Sequence, residues 1–420
     1  MKIKNTPALT PPMGWNSWDC YGASVTEDIL LANAEYMAKH LKVHGYEYVV
    51  CDIQWSEANA DSTQYHPFAD LCMDEYSRLI PAPNRFPSGF KAISDRIQAM
   101  GLKFGIHIMR GIPRQAVHRN TPIKGSDAGA RAIALPFANC SWNTDMYGVN
   151  PDMPEGQLYY DSLFELYASW GVDFVKVDDI ARADYSRDSY ANCREVEMIR
   201  RAMDKCGREM VLSLSPGPAK IEAAWHLSRN ADMWRITDDM WDDWKLVKAM
   251  FERCDVWQSH VGPGSWPDCD MLPLGRLRMF KGGEDCRLTK DEQYTLMNLW
   301  CIFRSPLIMG GHLPETDEFT FNLITNDELL HLVKSGVAPM QLFRSENEAA
   351  WMLYDTDGSL FCAVFNLSDE ERCVRVASGA LGLEKISSAY DLWEHENVSM
   401  PESGIENTLS PHASRIYRVI

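Results

Sequence analysis

The chain has 420 residues, of which 45% are hydrophobic and 24% charged, and its formal net charge at pH 7 is −18. This composition is typical of a folded globular protein and excludes a largely disordered chain. The negative charge argues against a nucleic-acid partner, because neutralising phosphates requires clustered Lys and Arg. The sequence also lacks a run of about twenty apolar residues, so we expect no membrane partner and no membrane span.

The N-terminal segment and the cysteines bear on the cellular compartment. Residues Met1 to Pro7 include two lysines with no apolar run behind them, so the sequence predicts no secretory signal. The twelve cysteines contain no C-x-x-C pair. Cys51 and Cys362 lie in apolar strand-like runs, where a free cysteine packs as a small hydrophobe. We therefore expect reduced thiols and a cytoplasmic location, and the sequence leaves a homo-oligomer open.

From about residue 10 to residue 320, short apolar strands alternate with amphipathic helices. The predicted strands are Met13–Trp18, Tyr46–Ile53, Lys103–Ile108, Asp173–Asp178, Met210–Leu214, Met233–Thr237, Val256–His260 and Leu299–Ile308. The predicted helices between them include Glu27–Leu41, Phe90–Met100, Gln157–Trp170, Asn192–Cys206 and Trp244–Arg253. This alternation indicates parallel pairing and an α/β class, and eight such units predict a (β/α)₈ TIM barrel. A doubly wound sheet is the structural alternative, but no Gly-rich phosphate fingerprint follows the first strand.

The pattern changes near Gly336, after which no long helical pattern occurs. The predicted strands here are Met340–Phe343, Ala349–Asp355, Leu360–Asn366, Cys373–Ala377, Ser387–Leu392 and Ser414–Val419. Short strands joined by turns predict a small antiparallel β domain, which we interpret as a sandwich. The predicted division is a catalytic barrel over residues 1–328 and a C-terminal antiparallel β domain over residues 329–420.

The predicted strands of the barrel end in acidic residues. The strand-end acids are Asp52, Asp178 with Asp179, Asp238 with Asp239, and Asp268 with Asp270. In a barrel, polar residues at the carboxyl ends of the strands form the active face, so these side chains should converge on one pocket. Cleavage of a glycosidic bond requires two carboxyl groups, one that attacks or activates water and one that protonates the leaving oxygen.

Two basic residues lie beside these acids. Lys176 and Asp178 are two residues apart on one strand and therefore point to the same side. A lysine there keeps Asp178 ionised, which suits a nucleophile, and a core ion pair is the structural alternative. Arg235 and Asp239 offer a similar pairing, and crowding in the acidic run around Asp239 favours the protonated form that a general acid needs. The run has no EF-hand spacing and no paired histidines, so we predict neither a metal nor a cofactor.

Aromatic residues flank the same positions. The tryptophans concerned are Trp15, Trp18, Trp55, Trp234, Trp241, Trp244 and Trp266. The C–H face of a sugar stacks on an indole ring, so tryptophans beside carboxylates predict a carbohydrate partner. His107, at the end of the third strand, either donates to a sugar hydroxyl or caps a core layer.

Four segments carry a more specific resemblance: Pro12 to Trp18 (PMGWNSW), Lys176 to Asp178 (KVD), Trp234 to Asp239 (WRITDD) and Gly262 to Leu272 (GPGSWPDCDML). In this order along the barrel, they resemble the signature segments of glycoside hydrolase family 27. That family contains α-galactosidases, α-N-acetylgalactosaminidases and β-L-arabinopyranosidases. The predicted C-terminal β domain fits the same family.

The resemblance implies a role for each matching residue. Asp178 would be the nucleophile and Asp239 the acid/base of a retaining mechanism, in which two carboxyl groups lie about 5–5.5 Å apart. The residues implied to contact the sugar hydroxyls are Asp52, Lys176, Arg235 and Asp270. Trp18 would form the floor of the pocket.

Three positions depart from the family pattern. Galactosidases of the family usually have two adjacent aspartates after the second strand, which address the 4- and 6-hydroxyls, whereas this chain has Asp52 followed by Ile53. Ser215 stands where a glutamate usually reads the 2-hydroxyl, and small residues at that place make room for an acetamide in the N-acetylgalactosaminidases. His107 stands where the family commonly has a tyrosine.

Ile53 bears on the sugar because β-L-arabinopyranose is α-D-galactopyranose without its hydroxymethyl group. An apolar wall rejects an extra polar group only by a factor on the order of 100. We therefore predict a retaining exo-glycosidase that acts on terminal α-D-galactopyranosyl-type linkages and accepts the homologous β-L-arabinopyranosides. An α-N-acetylgalactosaminidase is one alternative, and a catalytically silent sugar-binding protein on the same scaffold is the alternative outside the enzymes.

Overall fold

The computed structural model describes residues 4, 6–181 and 192–420. The N-terminal segment from which we predicted the absence of a secretory signal lies partly outside these residues. The core is one eight-stranded parallel sheet, whose strands are β1 (Met13–Asn16), β2 (Tyr48–Cys51), β3 (Lys103–Met109), β4 (Phe174–Asp178), β5 (Val211–Ser215), β6 (Met233–Arg235), β7 (Trp266–Asp268) and β8 (Leu307–Met309). Their order in the sheet is β7-β6-β5-β4-β3-β2-β1-β8. The curled parallel sheet confirms the predicted barrel.

The two ends of this sheet meet at one seam, between β7 and β8. There the chain just after β7 forms a single parallel bridge, between Leu272 and Met309. The Leu272 amide donates to the carbonyl of Ile308 at 2.8 Å, and the Gly310 amide donates to the carbonyl of Leu272 at 2.9 Å. The ring is therefore closed by the segment that follows β7 and not by a ladder between the two strands.

Helices between the strands form the outer layer of the barrel. The principal ones are α1 (Glu27–Tyr36), α2 (Gly89–Ala99), α3 (Pro154–Trp170), α4 (Cys193–Lys205), α5 (Ala224–Asn230), α6 (Trp244–Trp257), α7 (Lys290–Phe303), α8 (Glu318–Ile324) and α9 (Asp327–Ser335). Helix α7 begins with a capping box, in which the Thr289 side chain accepts from the Glu292 amide and the Glu292 side chain accepts from the Thr289 amide. Shorter helices cover Trp18–Tyr21, Arg114–Arg119 and Ala130–Ile133.

The predicted seventh strand, Val256–His260, is wrong. Its first two residues are the end of α6, and Gln258–His260 is a 3₁₀ turn. The buried residues of α6 are Val247, Met250, Phe251, Cys254 and Trp257. Their spacing of three and four is the helical period, and Val256, which does not fit it, is half exposed. The seventh strand is Trp266–Asp268, so the acids that we placed after it lie at its true end.

The predicted eighth strand, Leu299–Ile308, is correct only in its last residues. Leu299 to Phe303 belong to α7, which is buried nearly all round. The chain turns at Arg304, whose φ is 66°, and β8 begins at Leu307. A helix buried on all sides reads as a continuous apolar run, which periodicity alone does not separate from a buried strand.

Two long connections follow β2 and β3 at the carboxyl side of the barrel. Residues 52–88 join β2 to α2 with few regular elements. Residues 110–153 contain a small antiparallel sheet whose central strand is Met146–Val149, flanked by Ile112–Pro113 and Ala134–Asn139. We refer to residues 110–153 as the β3 insertion. A further pair of short strands, Arg276–Leu277 and Glu284–Asp285, lies between β7 and α7.

The C-terminal part is an antiparallel β domain, as predicted. Its strands are β9 (Gly336–Arg344), β10 (Glu348–Asp355), β11 (Leu360–Asn366), β12 (Arg372–Ala377), β13 (Ala389–Asp391), β14 (Glu396–Val398), β15 (Gly404–Leu409) and β16 (Ser414–Val419). One sheet has the order β9-β10-β11-β16-β13-β14, and β12 pairs with β15 in the other. The boundary that we placed after residue 328 stays a prediction; that position lies inside α9.

The β domain packs on the outside of α6 and α7. Thr295 and Asn298 on α7 bond to the Ser414 hydroxyl at 2.9 and 2.8 Å, and Asn298 also accepts from the Trp393 indole at 2.9 Å. Trp244, at the start of α6, stacks on His412 with ring centroids 4.1 Å apart. Hydrogen bonds and a stacked ring pair therefore join the two domains.

No helix among the described residues is long and apolar enough to cross a membrane. None of the twelve cysteines, all of which the structure describes, forms a disulfide, and seven of them are buried, Cys51 and Cys362 among them. The cytoplasmic location stays a prediction.

Arg85 holds the long connection after β2 in place. It is buried, and its guanidinium donates to the carbonyls of Gln54 and Glu57 at 2.8 and 2.9 Å. It also donates to the carbonyls of Val25, at 2.7 Å, and Ala23. One side chain therefore ties the connection that follows β2 to the segment that follows β1.

Replacing Arg85 with methionine should lower the free energy of unfolding by about 3 kcal/mol, because buried carbonyls lose a charged donor. Urea unfolding followed by tryptophan fluorescence measures the change. Arg119→Met is the control, since Arg119 faces solvent and its ion pair with Asp70 is long and exposed. Equal losses in the two variants would contradict this role for Arg85.

Candidate active site

A cavity of about 460 Å³ opens at the carboxyl ends of the barrel strands. It is lined by Trp18, Asp52, Ile53, Thr63, Tyr65, Trp142, Lys176, Asp178, Asp179, Ser215, Pro216, Gly217, Arg235, Asp238 and Asp239. A larger groove, of about 630 Å³, lies near the amino ends of β5 and β6. Arginines there, such as Arg200 and Arg208, pair with Asp204 and Asp173. We place the candidate site in the first cavity because it gathers carboxylates and aromatic rings.

Asp52, just after β2, is a buried carboxylate that accepts from three donors. The Lys176 ammonium lies 2.9 Å from Oδ2, and the Asn16 amide donates to the same oxygen at 2.7 Å. The backbone amide of Ile53 donates to Oδ1 at 2.9 Å, and the Ser17 hydroxyl accepts from the Asp52 amide at 3.0 Å. Burial acts to raise the pKa of Asp52, but the charge of Lys176 and the hydrogen bonds from Lys176 and Asn16, together with His107, hold the pKa well below its ordinary value. Asp52 is therefore ionised and rigidly oriented.

Asp178, the last residue of β4, faces the cavity and is one-fifth exposed. His107 Nε2 lies 3.2 Å from its Oδ2, and the Asp179 amide donates to its Oδ1 at 2.7 Å. Burial acts to raise the pKa of Asp178, but the hydrogen bond with His107 and the charges of Lys176 and Arg235 together lower it below its ordinary value. An ionised carboxylate with an open face can act as a nucleophile.

Asp239 follows β6 and is more open to solvent, with 54% of its side chain exposed. Arg235 Nη1 lies 2.8 Å from Asp239 Oδ1 and 3.3 Å from Asp270 Oδ2. Asp270 also accepts from the Met240 amide at 2.8 Å. The Arg235 guanidinium therefore lies between Asp239, at the cavity mouth, and Asp270, behind it, and it positions Asp239.

The acidic run around Asp239 consists of Asp238, Asp239, Asp242 and Asp243, and its side chains make separate contacts. Asp242 points away from the cavity and forms an ion pair with Arg278. Asp243 caps α6 by accepting from the Lys245 amide at 2.9 Å. Asp238 and Asp239 are the members of the run that line the cavity. The crowding that we expected from the sequence is thus relieved by the way the chain turns into α6.

Asp268 lies beneath this layer, at the end of β7. Its Oδ1 accepts from the Asp270 amide at 2.9 Å, and Asp270 itself has a left-handed backbone with φ 74°. Burial raises the pKa of Asp268 to about 7, and the negative charge of Asp270 adds to the effect. Asp268 therefore fixes the backbone of Asp270 through a carboxyl group that is neutral in weakly acidic solution.

Ile53 is part of an apolar cluster beside the charged side chains. It is buried, and the cluster includes Trp18, Met109, Met271 and Ile308. Tyr65, partly exposed, packs against the same group. The wall that neighbours Asp52 therefore offers methyl and thioether surface where a second carboxylate would have offered acceptors.

Ser215 and the two residues after it form a small-residue wall at the end of β5. Ser215 is buried, and its hydroxyl has no hydrogen-bond partner among the described residues. Gly217 has φ 72°, and a Cβ there would come within 2.9 Å of Asp238 Oδ1. The left-handed backbone at this position therefore favours glycine.

The remaining wall is aromatic; Trp18 follows β1, and Tyr65 and Trp142 come from the two long connections. Trp18 and Tyr65 stack with ring centroids 6.0 Å apart and planes within 14°, and Tyr65 lies 5.3 Å from Trp142. Burial raises the pKa of Tyr65, and the charges of Asp178 and Asp52 add to the effect, so its hydroxyl stays protonated. We call Trp18, Tyr65 and Trp142 the aromatic wall.

Eight of the ten residues proposed from the sequence line this cavity: Trp18, Asp52, Ile53, Lys176, Asp178, Ser215, Arg235 and Asp239. The other two, His107 and Asp270, lie directly behind it and contact Asp178 and Arg235. The lining residues that we did not propose as site residues are Thr63, Tyr65, Trp142, Asp179, Pro216, Gly217 and Asp238. Tyr65 and Trp142 lie in long connections, where strand ends give no guide to position. Their aromatic character was the available signal.

In the described part of the chain, no three His, Cys, Asp or Glu side chains converge as ligands for a metal ion. The carboxylates of the cavity are instead neutralised by Lys176, Arg235 and the donors described above.

Comparisons with known proteins agree with this architecture. Residues 10–150 and 144–334 match the family model described as alpha galactosidase A, and residues 346–419 match that of the alpha galactosidase C-terminal beta sandwich domain. Among known sequences, alpha-galactosidase 2 from Arabidopsis thaliana is 27% identical over 99% of this chain and 91% of its own length.

Two solved structures are more similar. A GH27 β-L-arabinopyranosidase from Geobacillus stearothermophilus, in complex with arabinose, is 53% identical with a TM-score of 0.95, covering 98% of this chain and 97% of its own. A putative α-N-acetylgalactosaminidase from Bacillus halodurans is 50% identical with a TM-score of 0.89, covering 100% of this chain and 99% of its own.

Asp268→Asn should remove a pH-dependent loss of stability. The Asp268 carboxyl stays protonated in the folded chain up to about pH 7, whereas its ordinary pKa is 3.8. Relative to the variant, the wild-type chain should therefore lose stability as the pH rises from about 4 to 7, and the difference should then level off. Urea unfolding of both proteins between pH 4 and 8 measures it. A difference that stays flat, or that grows in favour of the wild type, would contradict the assignment.

Proposed function

Because this chain belongs to glycoside hydrolase family 27 and is an O-glycoside hydrolase, we propose that it is a retaining exo-glycosidase that prefers terminal β-L-arabinopyranosides. Terminal α-D-galactosides are its slower substrates. Ile53, buried in an apolar cluster beside Asp52, is the observation that carries the proposal.

The reaction is a double displacement. Asp178 attacks the anomeric carbon while Asp239 gives its proton to the departing glycosidic oxygen, so the bond to the leaving group breaks as the ester to Asp178 forms. Asp239 then takes a proton from water, which attacks the same carbon and releases the sugar with its configuration retained. The lowered pKa of Asp178 supports its role as nucleophile. The exposure of Asp239 at the cavity mouth supports its role in exchanging protons with the leaving group and water.

The charged side chains around these two residues bind and orient the sugar. Asp52 and Lys176 form an ion pair whose outer atoms line the cavity, where they can accept from and donate to ring hydroxyls. Arg235, which forms an ion pair with Asp239, has further N–H groups that can donate to the sugar. His107 and Asp270 act through Asp178 and Arg235, which they position from behind.

The preference for arabinopyranose rests on the difference between the two sugars at C5. A galactosyl unit presents a 6-hydroxyl that must leave water when it binds, and an apolar wall returns no hydrogen bond to it. Arabinopyranose has no such group. The 53% identity to a β-L-arabinopyranosidase supports the same preference.

An α-N-acetylgalactosaminidase is the second candidate, and Ser215 is the observation that favours it. The wall formed by Ser215, Pro216 and Gly217 presents small side chains to the cavity. The Ser215 hydroxyl, which has no partner among the described residues, is a donor that an acetamide carbonyl would accept from. The similarity to a putative α-N-acetylgalactosaminidase points the same way. Nitrophenyl glycosides of the three sugars, assayed side by side, rank the candidates, and hydrolysis of none would leave a sugar-binding protein.

Asp178→Ala should fold normally and lose turnover by at least about 10⁴-fold, because the covalent intermediate cannot form. With a dinitrophenyl glycoside and azide, part of the rate should return, and the product should be a glycosyl azide of the opposite anomeric configuration. Asp243→Ala is the matched control, since Asp243 belongs to the neighbouring acidic run but caps α6 outside the cavity. Undiminished hydrolysis by Asp178→Ala would refute the mechanism.

Ile53→Asp should raise the ratio of kcat/KM for the α-galactoside over that for the β-L-arabinopyranoside by about 10- to 100-fold. The new carboxylate would accept from the 6-hydroxyl, which arabinopyranose lacks. Ile53→Val is the control, because it keeps the wall apolar and should leave the ratio unchanged. If the wild type already prefers the galactoside by more than about a thousandfold, the role given to Ile53 is wrong.

A further inference from the structure

The aromatic wall extends beyond the part of the cavity that would hold the terminal sugar. Trp18 lies at the bottom, next to Ile53, and is only 9% exposed. Tyr65 stacks on it, and Trp142 stands beyond Tyr65 with 38% of its surface exposed. The rings therefore extend from the floor of the cavity to its mouth, and the outermost ring, Trp142, is accessible to a bound ligand.

Asp239 belongs to the opposite side of this mouth. Tyr65 lies in the connection after β2 and Trp142 in the β3 insertion, whereas Asp239 follows β6. In a ring of eight strands, β2 and β6 are four positions apart and therefore face each other across the barrel. If Asp239 protonates the glycosidic oxygen, the first atoms of the leaving group lie between Asp239 and the aromatic wall.

The two outer rings offer this space a particular chemistry. The contacts of these rings are with other aromatic rings: Tyr65 stacks on Trp18, and its centroid lies 5.3 Å from that of Trp142. The charged groups that read sugar hydroxyls, Asp52 and Lys176, belong to the buried end of the cavity. The mouth on the side of Trp142 thus presents ring faces, which favour a flat apolar partner over a heavily solvated one.

We propose that Tyr65 and Trp142 form the subsite for the leaving group, and that this subsite binds a flat apolar face. Two groups have such a face: an aromatic aglycone, and a second sugar that presents its C–H side. The inference rests on the proposed function, because it takes the direction of departure from the role of Asp239. It adds a determinant of leaving-group preference that is separate from Ile53 and Ser215.

The test compares leaving groups within one glycone. Wild type, Trp142→Ala and Trp142→Phe are assayed on β-L-arabinopyranosyl fluoride, on the 4-nitrophenyl β-L-arabinopyranoside and on a disaccharide that ends in the same sugar. The value compared is kcat/KM, which covers all steps through departure of the leaving group. Fluoride is a single atom that cannot reach the outer rings.

Trp142→Ala should lower kcat/KM about 10-fold for the nitrophenyl glycoside, the disaccharide or both, mainly through KM. Hydrolysis of the fluoride should stay within about twofold of wild type. Trp142→Phe should keep most of the activity on all three substrates. The larger of the two losses identifies whether an aromatic ring or a sugar is the better occupant.

Phe137→Ala is the control for the β3 insertion as a whole. Phe137 is a fully exposed ring on the same insertion that does not line the cavity, so its loss should change none of the three substrates. Equal losses on the fluoride and the larger substrates in Trp142→Ala, or no loss on any, would overturn the subsite. Failure of the wild type on the fluoride itself would instead overturn the proposed arabinopyranosidase function, so the two failures are distinguishable.

Discussion

The site depends on balancing charges that the barrel removes from water. Lys176 neutralises Asp52, His107 bonds to Asp178, and Arg235 lies between Asp239 and Asp270. A buried charge without a partner costs several kcal/mol, so Asp52 and Asp178 depend on their neighbours to remain ionised. The same pairing that makes burial tolerable also fixes the direction of each carboxyl group. Stability and preorganisation of the site thus have one physical origin.

The residues of this network were visible in the sequence because parallel strands impose simple geometry. Side chains two apart on a strand share a face, and strand ends meet at one rim, so Lys176, Asp178 and the acids after β2, β6 and β7 could be brought together without coordinates. The barrel and the antiparallel domain followed from alternation and turn patterns in the same way. The partners within the network could not be read off, because Lys176 bonds to Asp52 from a different strand and not to its own neighbour Asp178.

The errors of the sequence analysis have different causes. A helix buried on all sides gave a false strand at Leu299, where periodicity does not separate helix from strand, whereas the false strand at Val256 overlooked the helical spacing of the apolar residues of α6. His107 points at Asp178 and not into the cavity, which depends on its register opposite Lys176. Tyr65 and Trp142 reach the cavity through connections of more than thirty residues, whose paths are set by contacts such as those of Arg85. Strand geometry therefore predicts the polar floor, and loop packing decides the aromatic side.

The C-terminal domain contacts the part of the barrel where the ring of strands closes. Between β7 and β8 the described chain has one bridge in place of a ladder, and α7 is the connection that spans this joint. The β domain packs on the outer side of α7 and α6: Ser414 is hydrogen-bonded to α7, and His412 stacks on Trp244 of α6. The domain is therefore packed against the helix that connects the two strands of this joint. This helix joins β7, which leads into Asp270, to β8, so a domain with no residue in the cavity contacts the part of the barrel from which Asp270 reaches Arg235.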